Sequence, residues 1–177
     1  MNLKVADFAS KLVFESLPPE VVRTLKHSFI DALACALYGS SKPWSKKLRN
    51  VVVDDNSSGN CVFPTFPRNG LPASNAALLM GAYCHAFEQD NLRFPGAGVH
   101  PGAAIMCPLL ALAQEHKLSG KQLLVSAAAG LEALSRLGVA TKHSLERRGF
   151  HAPGVIGPVG GAIACASALG ASSKQIL

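Results

Sequence analysis

A short stretch in the middle of the chain concentrates the side chains that transfer protons. Residues 83–102 read YCHAFEQDNLRFPGAGVHPG, which places two histidines and two carboxylates in an otherwise apolar, weakly charged chain. Histidine changes its charge near neutral pH, and a neighbouring carboxylate can orient its ring or titrate beside it. The stretch therefore predicts general acid/base chemistry, with Glu88, Asp90 and His100 as candidate catalytic residues.

A second polar group lies nearer the carboxyl end, where Arg147, Arg148 and His151 precede a Gly/Ala-rich run. No charged residue occurs from residue 152 to residue 173. Binding sites are usually apolar cavities that hold a few well-placed polar groups. His151 is therefore a further candidate catalytic residue, and we expect His100 and His151 to share acid/base and substrate-orienting roles.

His85, three residues before Glu88, has two interpretations. It could lie one turn from Glu88 on the same helix face, or it could be an internal structural histidine. His85, Glu88, Asp90 and His100 could also supply a metal set of two histidines and carboxylates. The irregular loop between them has no recognised metal-ligand spacing, so we predict a site without a metal.

The glycines of the uncharged run do not form a dinucleotide-binding motif. Gly154, Gly157, Gly160 and Gly161 lack the order G-x-G-x-x-G, and no predicted strand precedes them. We expect these glycines to allow close helix packing. Residues 152–171 are twenty uncharged residues, long enough to span a bilayer, but small side chains favour insertion only weakly. We therefore predict a packed helix and no membrane span.

Composition is typical of a globular intracellular protein. The 177 residues are 49% hydrophobic and 16% charged, which suffices for one core and excludes a disordered chain. The five cysteines are an odd number without a C-x-x-C pair, which favours reduced thiols and a cytoplasmic location. The amino-terminal segment, with Asp7 and Glu15, is neither a signal peptide nor a good transit peptide.

The net charge of +6 suits an anionic partner. A nucleic-acid surface normally adds interleaved aromatic residues or a reading helix rich in Arg, Asn and Gln, and neither is visible. A small polycarboxylate is the competing partner, and ordinary solubilising charge also explains clusters such as Lys46–Lys47. We expect a small polycarboxylate and no nucleic acid.

Hydrophobic spacing predicts helices along almost the whole chain and almost no strand. The clearest helix runs from Glu20 to Tyr38, with apolar residues every three or four positions and Gly39 as its C-cap. Ser-x-x-Gln capping boxes begin two helices, after Ser119 and Ser172. Further helices are predicted over residues 5–16, 45–53, 73–88, 100–116, 121–138 and 152–171, with connections at 59–66 and 89–99. The predicted fold class is all-α.

Five motifs, in chain order, resemble those of one enzyme family. They are Asp31-Ala32-Leu33-Ala34-Cys35-Ala36-Leu37-Tyr38-Gly39, His85 with the acidic residues after it, His100-Pro101-Gly102, the Ser119-Gly120 helix start and Gly149-Phe150-His151. On these motifs the chain resembles the MmgE/PrpD family, which includes 2-methylcitrate dehydratase, cis-aconitate decarboxylase and iminodisuccinate epimerase. The resemblance covers residues 1–177 as the N-terminal part of the family's helical domain.

The resemblance implies a helical-bundle domain that forms homodimers and acts on di- and tricarboxylic acids without a metal or organic cofactor. Family members are longer, so we expect their lid domain and further basic active-site residues to lie outside this chain. The capping box at Ser172, which the chain end follows closely, also indicates the front part of a longer protein. In place of the family's acidic cluster the chain reads Glu88-Gln89-Asp90-Asn91, whose amides indicate a changed substrate or lost activity.

A lyase acting on a polycarboxylate is the function that these observations favour. Such an enzyme needs a base near the reacting C–H bond, an acid for the leaving group and cations for the carboxylates. We expect His100 to lie where a loop becomes a helix. The N-terminus of that helix would also favour the binding of an anionic substrate. Dehydration of the 2-methylcitrate dehydratase type is the leading reaction, with decarboxylation and epimerisation as alternatives. An inactive, truncated relative that serves as a binding or assembly module is the alternative from another class.

Overall fold

The computed structural model describes residues 2–53, 58–93 and 98–177. In these ranges all regular elements are helical, and the only β-pairs are two isolated bridges. The α-helices are α1 (Asn2–Lys11), α2 (Pro19–Ser40), α3 (Pro43–Val52), α4 (Ala73–Cys84), α5 (Cys107–His116), α6 (Gly120–Thr141), α7 (Ser144–Arg147), α8 (Ala152–Ala168) and α9 (Ser173–Ile176). The predicted all-α fold class is confirmed, and the predicted loop at 89–99 lies partly outside the described residues.

Both predicted capping boxes are confirmed. At the start of α6, Gln122 donates its backbone N–H to Ser119 Oγ at 3.3 Å, and Ser119 donates its own N–H to Gln122 Oε1 at 2.9 Å. The same reciprocal pair joins Ser172 and Gln175 at the start of α9. These bonds satisfy amide groups that have no partner inside the helix.

The helices predicted over residues 5–16 and 73–88 end earlier in the structure. The helix predicted over 5–16 ends at Lys11, because Val13 is extended (φ −125°, ψ 154°) and a separate 3-10 turn follows at Phe14–Ser16. The helix predicted over 73–88 ends at Cys84, and a turn follows it. Hydrophobic spacing continues through both boundaries, which is why it could not locate them.

Gly39 was predicted as the C-cap of α2, and this is wrong because α2 continues through Ser40. A Cβ atom at Gly39 would lie 1.9 Å from the carbonyl oxygen of Tyr83. The glycine therefore allows α2 to contact the backbone of α4. This contact fixes the C-terminal end of α4, from which the candidate site begins.

The most extensive helix packing joins α6 to α8, while α4 packs against α2 and α5. A Cβ at Gly130 of α6 would lie 2.6 Å from the Ala164 Cβ, and one at Gly160 of α8 would lie 2.8 Å from the Leu134 Cβ. Gly157 and Gly161 approach Ala104 in the same way. The prediction that glycines of this run permit close packing is confirmed for these positions.

Gly154 is the exception among the four glycines of the run, because a Cβ there would meet only the His151 ring, at 3.6 Å.

The helix predicted from residue 100 begins with a π-helical segment, Gly102–Met106, which continues into α5. The segment packs against α2, α4 and α8. π-helical turns are rare in proteins, and those that do occur are often found at functional sites. His100 lies directly before this segment, so its position depends on how the π-helical turn is packed.

One described helix, α6, is long and apolar enough to cross a membrane by length and composition. Half of its most apolar window is buried inside the fold, as expected for a core helix, which passes the same test. The run at 152–171 forms the shorter helix α8 of 17 residues.

Candidate active site

The turn after α4 carries the acidic stretch. His85 is the C-cap residue of α4, with φ −93° and ψ 13°. Three residues later Glu88 has a φ of +53°, in the left-handed region that non-glycine residues rarely adopt. The chain reverses here, so that Asp90 Oδ1 lies 2.9 Å from His85 Nδ1.

The Asp90 carboxylate is shared by two imidazole rings. Its Oδ1 lies 2.9 Å from His85 Nδ1 and 3.3 Å from His100 Nδ1. The two rings contact each other, with centroids 4.5 Å apart and a tilt of 57°. The Asp90 side chain is 0% exposed, and its Oδ2 has no hydrogen-bond partner within the described residues. We refer to His85, Asp90 and His100 as the His–Asp–His cluster.

The geometry determines which nitrogen of His100 carries the hydrogen. His100 Nδ1 lies 3.1 Å from the backbone carbonyl oxygen of Asp90, and a carbonyl oxygen can only accept. Nδ1 must therefore donate, which leaves Nε2 of the neutral ring without a hydrogen. An imidazole held in this way by a carboxylate can take a proton at Nε2 and return it later.

Hydrogen bonds of Asn91 connect the segment that carries Asp90 to the segment that carries His100. Asn91 donates its backbone N–H to Asp31 Oδ2 of α2 at 2.9 Å, and its side-chain Oδ1 accepts from the Gly102 N–H at 2.9 Å. Arg93 N donates to Val99 O at 2.9 Å, which brings residues 93 and 99 together. Segments distant in sequence thus place Asp90 beside His100.

Two thiols lie near the cluster, that of Cys84, which is buried, and that of Cys35, which is partly buried. A hydrogen bond with Cys107, together with burial, raises the pKa of the Cys84 thiol. Burial raises the pKa of Cys35 as well, with smaller contributions from the charges of Asp31 and Asp90. Since the thiolate is the reactive form of cysteine, a raised pKa favours the neutral, less reactive thiol at both positions.

The other two predicted catalytic residues lie at or beyond the edge of the cluster. Glu88 is 70% exposed, and its Oε1 is 3.8 Å from His85 Nε2. His151 is the exposed N-cap residue of α8 and, among the described residues, forms no hydrogen bond or ion pair with His85, Asp90 or His100. The structure thus brings together Asp90 and His100, and it leaves the roles of Glu88 and His151 as predictions.

His85 is the site residue that sequence analysis left undecided. In the structure His85 Nδ1 lies 2.9 Å from Asp90 Oδ1, and its other nitrogen lies 3.8 Å from Glu88 Oε1. The sequence signal that could have assigned His85 to the site was Asp90. Its carboxylate lies five residues after His85 and ten residues before His100, and one carboxylate can contact two histidines.

The cluster also has the composition of a metal site. His85, Asp90 and His100 each offer one ligand atom, and these atoms lie within 4.8 Å of one another. Two histidines and one carboxylate suit several divalent transition metals. A hydrogen bond joins His85 Nδ1 to Asp90 Oδ1, and another joins His100 Nδ1 to the Asp90 backbone carbonyl, so contacts within the protein already hold the three side chains together.

The cluster is distinct from the groove between α1 and α6. This groove has a volume of about 670 Å³ and is lined by Lys4, Phe8, Arg93 and Arg136, among others, but not by the His–Asp–His cluster. The cluster reaches solvent through its histidine side chains, of which His85 is 29% and His100 is 14% exposed.

Comparison with known proteins identifies the family. The MmgE/PrpD N-terminal domain matches residues 3–177. A cis-aconitate decarboxylase-like protein of Aspergillus oryzae is 29% identical over 97% of this chain and 37% of its own length. The cis-aconitate decarboxylase of Aspergillus terreus is 28% identical over 96% of this chain and 36% of its own length. The human cis-aconitate decarboxylase is 34% identical over 59% of this chain and 22% of its own length.

The chain therefore spans little more than a third of the fungal relatives, at 37% and 36% of their lengths. The match to the family's N-terminal domain extends over nearly every residue, including all members of the His–Asp–His cluster. The chain belongs to the MmgE/PrpD family.

Proposed function

We propose that this protein is a lyase of the cis-aconitate decarboxylase type, acting on a small tricarboxylic or dicarboxylic acid through the Asp90–His100 pair. The observation that carries the proposal is the position of His100 Nδ1, which lies 3.3 Å from the Asp90 carboxylate and 3.1 Å from the Asp90 carbonyl. Relatives named cis-aconitate decarboxylase favour decarboxylation over the dehydration that sequence analysis ranked first.

The Asp90–His100 pair suits the proton transfer that decarboxylation requires. The bond between the departing carboxylate carbon and its neighbour breaks, carbon dioxide leaves, and the bonding electron pair stays on the substrate. A proton must then bind to that pair. Protonated His100 can donate it from Nε2, and the Asp90 carboxylate stabilises the positive ring before transfer. In a dehydration the same ring, when neutral, would remove a proton from carbon.

A polycarboxylate substrate agrees with the surroundings of His100. The residue immediately precedes the helical segment formed by Gly102–Met106 and α5, and the N-terminal end of a helix favours negative charge. The net charge of +6 acts in the same direction. We propose that the complete enzyme is a cytoplasmic homodimer, uses no metal or organic cofactor and binds no nucleic acid, and that residues outside this chain supply further cations.

The test is a substrate panel with the full-length protein. Cis-aconitate, 2-methylcitrate and iminodisuccinate are incubated separately; loss of carbon dioxide or water is followed by mass spectrometry, and inversion by chiral chromatography. We expect loss of carbon dioxide from cis-aconitate, and we expect Asp90→Asn and His100→Gln each to lower kcat about a hundredfold or more. His151→Gln should also lower kcat if its predicted role is right. His116→Gln, at the exposed end of α5, is the matched control and should retain full turnover.

The possible outcomes separate the alternatives. Wild-type turnover in both Asp90→Asn and His100→Gln, with unchanged circular dichroism, would refute the assigned pair. Loss of water from 2-methylcitrate would identify a dehydratase, and inversion of iminodisuccinate an epimerase. A folded full-length protein that converts none of these acids would favour a binding or assembly module.

A further inference from the structure

Asn91 joins three segments of the fold beside the proposed acid/base pair. Its backbone N–H donates to Asp31 of α2, and its side-chain oxygen accepts from the Gly102 N–H, each at 2.9 Å. Asp90 directly precedes it, and His100 lies two residues before Gly102. We propose that Asn91 is a positioning residue, which holds Asp90 against His100 and thereby keeps the ring hydrogen of His100 on Nδ1.

The mechanism follows from the fact that Asp90 supplies both acceptors for His100. The carboxylate Oδ1 lies 3.3 Å from His100 Nδ1, and the carbonyl oxygen of the same residue lies 3.1 Å from it. A displacement of the Asp90 backbone therefore weakens both contacts at once. Histidine in water prefers its hydrogen on Nε2, so a released His100 ring would revert to that form and would lose Nε2 as a proton acceptor.

The bond between Asn91 and Gly102 is the contact that prevents this displacement. Gly102 is buried, so water cannot replace the Asn91 oxygen as the acceptor for its N–H, and loss of this bond would cost free energy. The space is also tight, because a Cβ at Gly102 would lie 3.1 Å from Asn91 Oδ1 and 3.2 Å from Cys84 Sγ. The bond to Asp31 holds the other side of Asn91 on α2. Asn91 can therefore not move alone.

The same contacts explain how an amide suits this position. A side-chain oxygen is needed to accept from Gly102, and both asparagine and aspartate provide one. Asparagine provides it without placing a third carboxylate beside Asp31 and Asp90. On this basis Asn91 preserves the geometry of the Asp90–His100 pair, and it is not by itself a sign of lost activity.

The experiment measures the ring hydrogen of His100 directly. The ¹⁵N-labelled chain is studied by long-range ¹H–¹⁵N correlation spectra over a pH series that reaches the neutral imidazole, with the exposed His27 and His116 as reference signals. Asn91→Leu keeps the branching at Cγ but removes the acceptor, Asn91→Asp keeps the acceptor, and Asn75→Ala removes one side-chain bond to a backbone carbonyl, that of Val52, elsewhere.

We expect the Nδ1–H form of His100 in the wild type, in Asn91→Asp and in Asn75→Ala. In Asn91→Leu the ratio of the Nδ1–H to the Nε2–H form should fall by about tenfold or more, since two acceptors are lost. An unchanged ratio in a folded Asn91→Leu would overturn the proposal. If Asn91→Leu does not fold, Asn91→Asp decides, because a predominant Nε2–H form in that variant would also overturn it.

The consequence for turnover rests on the proposed function. In the full-length protein, Asn91→Leu should lower kcat by about tenfold or more with little change in KM, and Asn91→Asp should restore it. A wild-type protein without turnover would refute the proposed function alone, since the spectra of His100 would still decide the role of Asn91.

Discussion

Asp90 is a buried carboxylate whose neighbours determine what it can do. Burial of a charged side chain costs several kcal/mol unless polar partners compensate for the lost water. Two imidazole nitrogens, at 2.9 and 3.3 Å, face one oxygen of Asp90, while the other oxygen has no partner among the described residues. The polar contacts that compensate for the burial of Asp90 are therefore all at Oδ1, and both His85 and His100 supply them. At this scale the candidate site is a set of three residues in mutual contact.

The buried thiols predict a loss of stability at alkaline pH. A hydrogen bond with Cys107 and burial raise the pKa of Cys84, and burial raises that of Cys165. In the unfolded chain a thiol ionises near pH 8.5. Below this pH the contribution to stability is complete, and above it the unfolded state releases protons that the native state retains. The free energy of unfolding should then fall by about 1.4 kcal/mol per pH unit for each such thiol.

Urea unfolding under reducing conditions, from about pH 7 to about pH 10, measures this slope. Cys84→Ala should show a shallower slope than the wild type, by about the contribution of one thiol. Equal slopes in the two proteins would mean that Cys84 ionises equally in the folded and unfolded states.

At the scale of elements, glycine determines how closely the helices approach. Gly39 allows α2 to contact the backbone of α4, and Gly130 allows α6 to contact α8. The first contact fixes the end of α4 from which His85 projects. The second supports α8, against which the π-helical segment that follows His100 is packed. The geometry of the cluster thus depends on helix crossings that contain none of its residues.

Gly130→Ala should destabilise the fold, although alanine is the better helix former. A Cβ at Gly130 would lie 2.6 Å from the Ala164 Cβ and 2.7 Å from the Gly160 carbonyl oxygen, so α6 and α8 must separate. We expect a loss of about 1–3 kcal/mol in the free energy of unfolding. Gly120→Ala in the same helix is the matched control, because a Cβ there would meet nothing within 4 Å. Equal unfolding midpoints for the two variants would contradict this account of the crossing.

At the scale of the whole molecule, the described part exposes apolar surface on α8. The helix carries no charge, and its outward side includes Val155, 43% exposed, and Val159, 45% exposed. The chain spans 37% and 36% of the lengths of the fungal relatives that it matches. A contiguous apolar face of this type is typical of a surface that binds another protein surface.

The isolated chain should therefore self-associate as its concentration rises. Val159→Lys places a charge within the apolar face of α8 and should shift the association to higher concentration by about tenfold or more, since burial of an unpaired charge costs over 1.4 kcal/mol. Val51→Lys, on α3 at a residue 82% exposed, is the control and should associate like the wild type. Static light scattering that reports a monomer at every concentration would contradict the prediction.

The sequence by itself determined the features that depend on near neighbours. Helix periodicity, the capping boxes at Ser119 and Ser172, and the concentration of histidine and carboxylate between residues 83 and 102 all predicted what the structure contains. The motifs also identified the family, which the match over residues 3–177 confirms. Such signals are local because a helix cap or an amphipathic face involves residues within a few positions of one another.

Tertiary structure decided which of the candidate residues meet. His85 contacts Asp90 across a turn in which Glu88 is left-handed, and the bonds of Asn91 reach Asp31, 60 residues away, and Gly102, 11 residues away. Gly39 does not end α2. It allows α2 to approach the backbone of Tyr83 in α4. These contacts depend on how close two helices can approach, and no spacing pattern within one segment encodes that distance.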